Sequence, residues 1–209
     1  MPLQNRVHPT SSLHGVSARG AMMGNRGGRF HDPETKAILG QRRWVSRAWI
    51  TCSLCFKDRQ REVWGNSYTE LFFLDEVTAL SAGHRPCFEC RQADARCFQA
   101  ALFAGMAEEM GWTTPPKAFV MDKLLHDARL DPAPRLVRIG ELPIGSVVDL
   151  KGAILAVGPQ GLLPWRFEGY GQPKDVSPKM QACLITPTPM IAALKAGYSP
   201  SWHASAGID

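Results

Sequence analysis

The chain lacks any run of 18 apolar residues, and this excludes a membrane-spanning helix. Its opening residues, Met1-Pro2-Leu3-Gln4-Asn5-Arg6, contain no apolar core of the kind that begins a secretory signal. Also absent are the Gly-x-x-x-x-Gly-Lys-Ser/Thr phosphate loop and a dinucleotide fingerprint set in a strand–turn–helix unit, so no motif points to either nucleotide-binding class. With no export signal, a reducing cytoplasm is the expected compartment, and there six cysteines favour metal binding over disulfides.

The cysteines are not scattered. Gly83-His84-Arg85-Pro86-Cys87-Phe88-Glu89-Cys90-Arg91 holds one Cys-x-x-Cys pair, and Cys52 and Cys55 form another upstream. A tight turn lets both sulfurs of such a pair reach one ion, so two pairs supply the four thiolates of a tetrahedral zinc shell. The metal expectation is therefore zinc on Cys52, Cys55, Cys87 and Cys90. Two other arrangements stay open: three cysteines with His84, or the downstream pair alone. A redox pair is disfavoured because neither pair lies in the strand-then-helix setting of a thioredoxin site. The intervening segment, Phe56 to Pro86, is 31 residues long, whereas zinc-ribbon spacings are about 15 to 20. That segment must carry structure of its own. Cys97 and Cys183 have no paired spacing and read as core residues.

Charge is unevenly distributed. The net formal charge is +5, but residues 1–65 carry +7 and the remainder −2. A basic first third suggests a polyanion, most often nucleic acid. Within Arg19-Gly20-Ala21-Met22-Met23-Gly24-Asn25-Arg26-Gly27-Gly28-Arg29-Phe30, glycines allow close backbone approach and guanidinium groups can reach oxyanions. In Arg42-Arg43-Trp44-Val45-Ser46-Arg47-Ala48-Trp49, basic residues alternate with tryptophans that can stack on bases. Arg26, Arg29, Arg42, Arg43, Arg47, Arg85 and Arg91 are the expected nucleic-acid contacts. The competing expectation is a connector with turn glycines, followed by a strand with buried aromatics and solvated arginines. His31-Asp32 is a weak acid–base or metal signal.

Periodicity predicts an irregular arm over residues 1–20, then strands over Arg42–Ile50, Arg61–Trp64 and Tyr68–Leu74. Asp75 is placed as the N-cap of a helix over Glu76–Ala82 that ends at Gly83. A long helix is expected from about Cys87 to Met110, with Ala93, Cys97, Ala100, Ala101 and Ala104 along one face, and another over Lys117–Leu130. Asp131-Pro132-Ala133-Pro134 is the best boundary. Beyond it come short strands over Arg135–Ile139, Ser146–Leu150, Ala153–Val157 and Leu162–Trp165. Lys151-Gly152 serves as a hairpin turn, and an aromatic loop from Trp165 to Gly171 plugs the sheet or walls a pocket.

Phe72-Phe73-Leu74-Asp75-Glu76-Val77-Thr78-Ala79-Leu80-Ser81-Ala82-Gly83-His84-Arg85-Pro86-Cys87-Phe88-Glu89-Cys90-Arg91 resembles the metal-binding domain of the Ada methylphosphotriester-repair family. Aromatics, a short helix, a glycine, Arg-Pro and a cysteine pair follow in the same order. The resemblance covers about forty residues if Cys52 and Cys55 are included. It implies zinc on four cysteines, DNA as the favoured polymer, and Cys52 at the position that accepts a methyl group. The first pair departs from the family, being Cys-x-x-Cys where the family has Cys-x-x-x-Cys.

The sequence thus predicts an α+β protein: a zinc-stabilised basic unit over residues 1–131, then a small antiparallel β unit over 132–209 closed by a C-terminal helix. Its leading function is that of a nucleic-acid-associated protein with structural zinc. The alternatives are an enzyme acting on nucleic acid, by methyl transfer or hydrolysis with His31 and Asp32, and a non-catalytic interaction module.

Overall fold

A computed structural model describes residues 1–41, 43–57, 62–131 and 133–208. The α+β class is borne out: the described residues form two six-stranded sheets and four α-helices. None of those helices is long and apolar enough to cross a membrane. In chain order the elements are β1 (Arg6–Val7), β2 (Leu13–His14), β3 (Met22–Arg26), β4 (Trp49–Cys52), β5 (Leu71–Phe73), α1 (Glu76–Ser81), β6 (Arg85–Pro86), α2 (Gln92–Met110), α3 (Ala118–Leu130), β7 (Leu136–Arg138), β8 (Val147–Leu150), β9 (Ala153–Gly158), β10 (Gly161–Arg166), β11 (Gly169–Tyr170), β12 (Gln181–Leu184) and α4 (Thr188–Lys195).

The first sheet runs β2-β1-β5-β3-β4-β6, with β1·β5 and β4·β6 parallel. The second runs β11-β10-β9-β8-β12-β7 in antiparallel pairs. Its hairpin at Lys151-Gly152 has both residues at positive φ, 56° and 86°, as the expected two-residue turn requires. Trp165 and Tyr170 are buried against Leu74, Val77 and Val147, so the aromatic loop plugs the sheet.

Several expectations need correction, among them the strand over Arg42–Ile50, of whose described residues only Trp49 and Ile50 are strand, as the start of β4. The glycine–arginine stretch is not a loop: Met22–Arg26 is a central strand, paired on both sides by β4 and β5. Gly24 permits this, since a Cβ there would come within 2.2 Å of the Ile50 carbonyl oxygen. Of the strand expected over 61–64, Arg61 lies outside the described residues, the described residues 62–64 form no strand, and Trp64 sits in a turn with φ +58°. On α2 the buried positions are Ala95, Phe98, Ala101, Leu102 and Met106, which leaves Cys97 exposed. The alanine-rich stretch has little amphipathic contrast, so the larger Phe98, Leu102 and Met106 decide which face packs on α3 and α4. The predicted arm over residues 1–20 also contributes β1 and β2 to the sheet.

The start of α1 joins the two halves of the chain. Asp75 caps it as expected, accepting from the Thr78 backbone N–H at 2.9 Å and hydroxyl at 2.8 Å. Its other oxygen accepts from the Tyr170 hydroxyl at 2.9 Å and the His203 N–H at 3.1 Å. Burial raises the Asp75 pKa, and these hydrogen bonds counter it in part.

On the core face of β3 and β4, Arg26 and Arg129 each lie over the Trp49 ring, 3.9 and 4.2 Å from its centre. His84 is fully buried beside them, and its Nε2 accepts from Arg26 Nε at 3.2 Å. Burial first, then the charges of Arg26 and Arg129, hold the His84 pKa well below 6.5. A depressed folded-state value means that the unfolded chain takes up a proton below pH 6.5 while the folded chain does not. The stability present above pH 6.5 should therefore fall on acidification, by up to roughly 1.4 kcal/mol per pH unit from this group. Urea unfolding from pH 7 to 5 checks this against His84→Gln, which keeps an acceptor for Arg26. The wild-type protein should lose stability more steeply, and equal slopes would rule the effect out.

Candidate metal centre and cavity

Alternation along the first sheet decides what its second face holds. Arg26, Trp49, Leu71 and Phe73 point to the core. Met23, Asn25, Ile50, Cys52 and Phe72 line a cavity of about 390 Å³. The register sets Met23 between Cys52 and Phe72, and Asn25 beside Ile50. Ser53, Leu54, Phe56, Val63, Tyr68 and Glu70 from the segment between β4 and β5 form other parts of the wall.

The cysteines reach this cavity from two separate elements. Cys52 ends β4. Parallel pairing of β6 with β4 aligns Thr51 with Pro86, and the Cys87 N–H donates to the Thr51 carbonyl at 3.0 Å. This places Cys87 next to Cys52 although 35 positions separate them. A turn then carries the chain to Cys90 and α2: the Arg91 N–H donates to the Cys87 carbonyl at 3.0 Å, and the Glu89 N–H to Cys87 Sγ at 3.3 Å. The sulfurs of Cys52, Cys87 and Cys90 all lie within 4.8 Å of one another, and all three residues line the cavity. Zinc–sulfur bonds of about 2.3 Å at tetrahedral angles place sulfurs about 3.8 Å apart, so a small contraction would close the three on one ion. The three thiols are electrostatically coupled. The hydrogen bond from Cys52, and then backbone N–H groups, draw the Cys87 thiol down to about 5. The same bond, with burial, pushes Cys52 up, and burial raises Cys90.

Of the four expected ligands the fold thus brings together three. Cys55 is exposed and outside the group. His84 is not a member either, because it lies on the core side with its Nε2 bound to Arg26. His31 is also committed elsewhere: Nδ1 bonds Thr69 Oγ1 at 2.8 Å, Nε2 bonds the Gly65 carbonyl at 2.9 Å, and the ring stacks on Trp64. Asp32 is turn chemistry, its Oδ1 accepting from the N–H groups of Glu34 and Thr35 at 2.9 and 2.7 Å.

Three of the expected nucleic-acid arginines are internal. Arg26 is 1% exposed and donates to the Ser11 carbonyl at 2.8 Å, and burial beside Arg129 and Arg43 pulls its pKa to about 9. Arg85 forms a buried two-bond pair with Asp122 at 2.8 and 2.9 Å. Arg91 pairs with Glu76 and Asp94, each at 2.8 Å. The reason is positional: an arginine on the inward face of a strand or beside a helix start must find an internal acceptor. Arg29 and Arg47 are exposed, Arg43 is half-buried with Nη1 on the Gly40 carbonyl at 2.7 Å, and Arg42 lies outside the described residues.

Glu70 escaped the sequence reading. It is 2% exposed, with Oε2 accepting from the Trp64 N–H at 2.9 Å, and its backbone carbonyl accepts from Trp64 Nε1 at 2.9 Å. Its Oε1 is buried and has no hydrogen-bond partner among the described residues. The available signal was alternation: Tyr68, Glu70 and Phe72 fall on one face of a strand-like run whose other face is Thr69, Leu71 and Phe73. A charge in that row marks a face that is not ordinary core. Against this geometry, comparison with protein families, characterised proteins and solved structures finds no match for the chain.

Proposed function

We propose that the protein is a zinc enzyme that handles a small molecule at a three-thiolate centre formed by Cys52, Cys87 and Cys90, with one coordination position left to the cavity. The observation that carries this reading is that the same three cysteines converge and line one void, while Cys55 stands apart. Structural zinc is enclosed by four protein ligands, whereas catalytic zinc keeps three and an exchangeable position. An all-thiolate set selects zinc over hard cations, and a cavity of about 390 Å³ falls in the range of small-molecule sites. Bound there, zinc would supply a Lewis acid with an exchangeable site. The chain's own part is to hold the sulfurs, through the Thr51–Cys87 and Glu89–Cys87 hydrogen bonds, and to wall the substrate with Ile50, Tyr68 and Phe72.

Cobalt substitution tests this. The visible spectrum of cobalt-loaded protein should shift when imidazole is added and should be unchanged by Cys55→Ser. A spectrum indifferent to imidazole but altered by Cys55→Ser would mean a closed four-cysteine shell.

That second outcome would favour the other reading, structural zinc in an Ada-like DNA-associated protein, for which the exposed Arg29 and Arg47 are the supporting observation. On that reading, affinity for DNA at low salt should fall steeply as salt rises, and charge reversal at Arg43 and Arg47 should weaken it.

A further inference from the structure

Among the described residues, the charged side chains that line the cavity are acidic. Its described lining contains Glu70, Glu89 and three cysteines, and no lysine, arginine or histidine. Three thiolates on a divalent ion keep a net negative charge, so the centre does not reverse that sign. The rest of the lining is largely apolar: Met23, Ile50, Leu54, Phe56, Val63, Tyr68 and Phe72.

Glu70 adds direction to this field. Burying a carboxylate oxygen without a donor costs free energy, and here one oxygen is held by Trp64 while the other has no partner among the described residues. The local backbone is built to keep it there. Trp64 adopts left-handed φ +58°, rare for a bulky side chain, and both its backbone N–H and its indole N–H are spent on Glu70. His31 stacked on the Trp64 ring and bonded to Thr69 braces the residues on either side. Carrying the β3–β5 register one residue further sets Glu70 beside Asn25, two strands from β4 and one side-chain row from Cys52. With strands about 4.8 Å apart and same-face residues about 7 Å apart, that is a span of about 12 Å between backbones, room for one planar ring.

We infer that the cavity takes a small ligand with a flat apolar body and a cationic or N–H-rich head, of the amidine, guanidine or amino-heteroaromatic class. Glu70 Oε1 accepts from the head, and the body lies against Ile50, Tyr68 and Phe72 beside the cysteines. This deepens the open-centre reading by naming its substrate class, but the acceptor is Glu70 and not the metal.

Calorimetric titration with benzamidine, benzamide and benzoate tests it on metal-loaded and metal-free protein, with metal content measured on the same samples. Benzamidine should bind more tightly than benzamide, and benzoate should not bind. Glu70→Gln, which keeps the size and one acceptor for Trp64, should weaken benzamidine at least tenfold without loss of metal. Ile50→Trp fills the void without touching Glu70 and should abolish benzamidine binding, so the test survives if the Glu70 variant fails to fold. Benzoate binding as well as benzamidine, an unchanged affinity in Glu70→Gln or Ile50→Trp, or no binding by any of the three compounds would overturn the assignment. Benzamidine binding with no metal bound would leave it standing and remove the zinc reading instead.

Discussion

Purified protein should carry about one zinc per chain, and Cys87→Ser, Cys52→Ser or Cys90→Ser should each weaken zinc binding on the order of a hundredfold, so that a competing chelator strips the metal, while Cys55→Ser should not. The expected loss is large. Zinc binding by small thiolate-rich sites releases about 10–16 kcal/mol, so one ligand of several is worth roughly 3 kcal/mol, on the order of a hundredfold in Kd. Cys87 should be the most sensitive, because it also accepts the Glu89 N–H and sits at the junction of β4 and β6. Elemental analysis, with thermal melts in the presence and absence of chelator, reads both consequences. Native protein free of metal, with melts indifferent to chelator, would end the metal assignment. Retention of metal by Cys87→Ser with loss in Cys55→Ser would place the site on the exposed cysteine instead.

Glu76→Ala should cost about 3–5 kcal/mol, a large share of the stability of any domain of this size. Glu76 is 1% exposed and joins three partners: Arg91 Nη2 at 2.8 Å, the Tyr198 hydroxyl at 2.6 Å and the Ser201 N–H at 2.9 Å. Truncation leaves Arg91 with Asp94, whose side chain is half exposed, and strands the buried Tyr198 hydroxyl and the Ser201 N–H of the C-terminal segment. Tyr198→Phe removes one of those bonds and should cost only about 1 kcal/mol, since Glu76 keeps its other two donors. Urea unfolding of the two variants distinguishes them. Similar small losses in both would mean that Arg91 finds another partner, and that Glu76 is not what ties α1 to the chain end.

Local chemistry on its own determined a good deal. Asp75 as N-cap, Gly83 after α1 with φ +80°, the hairpin at Lys151-Gly152 and the helix over Ala118–Leu130 all follow from short-range preferences that act within a few residues. The Cys87–Cys90 pair was legible for the same reason, as one turn holds both sulfurs. Pairing between distant segments was not legible. Nothing local says that Met22–Arg26 is a strand, because Gly24, the polar Asn25 and an Arg26 followed by two glycines oppose it; the neighbours β4 and β5 impose it by satisfying its backbone on both sides. The role of each arginine was undecidable for a related reason. Charge count is indifferent to direction, and only the facing of β3 and the start of α2 turned Arg26 and Arg91 inward. The difference between Cys52 and Cys55 has the same origin: they are equivalent by spacing, but parallel pairing of β4 with β6 fixes Cys52 against Cys87, whereas Cys55 lies beyond the end of the strand. Glu70 became visible as a site residue only once the sheet's second face proved to enclose a cavity, for a strand's alternation names two faces but not which of them is covered.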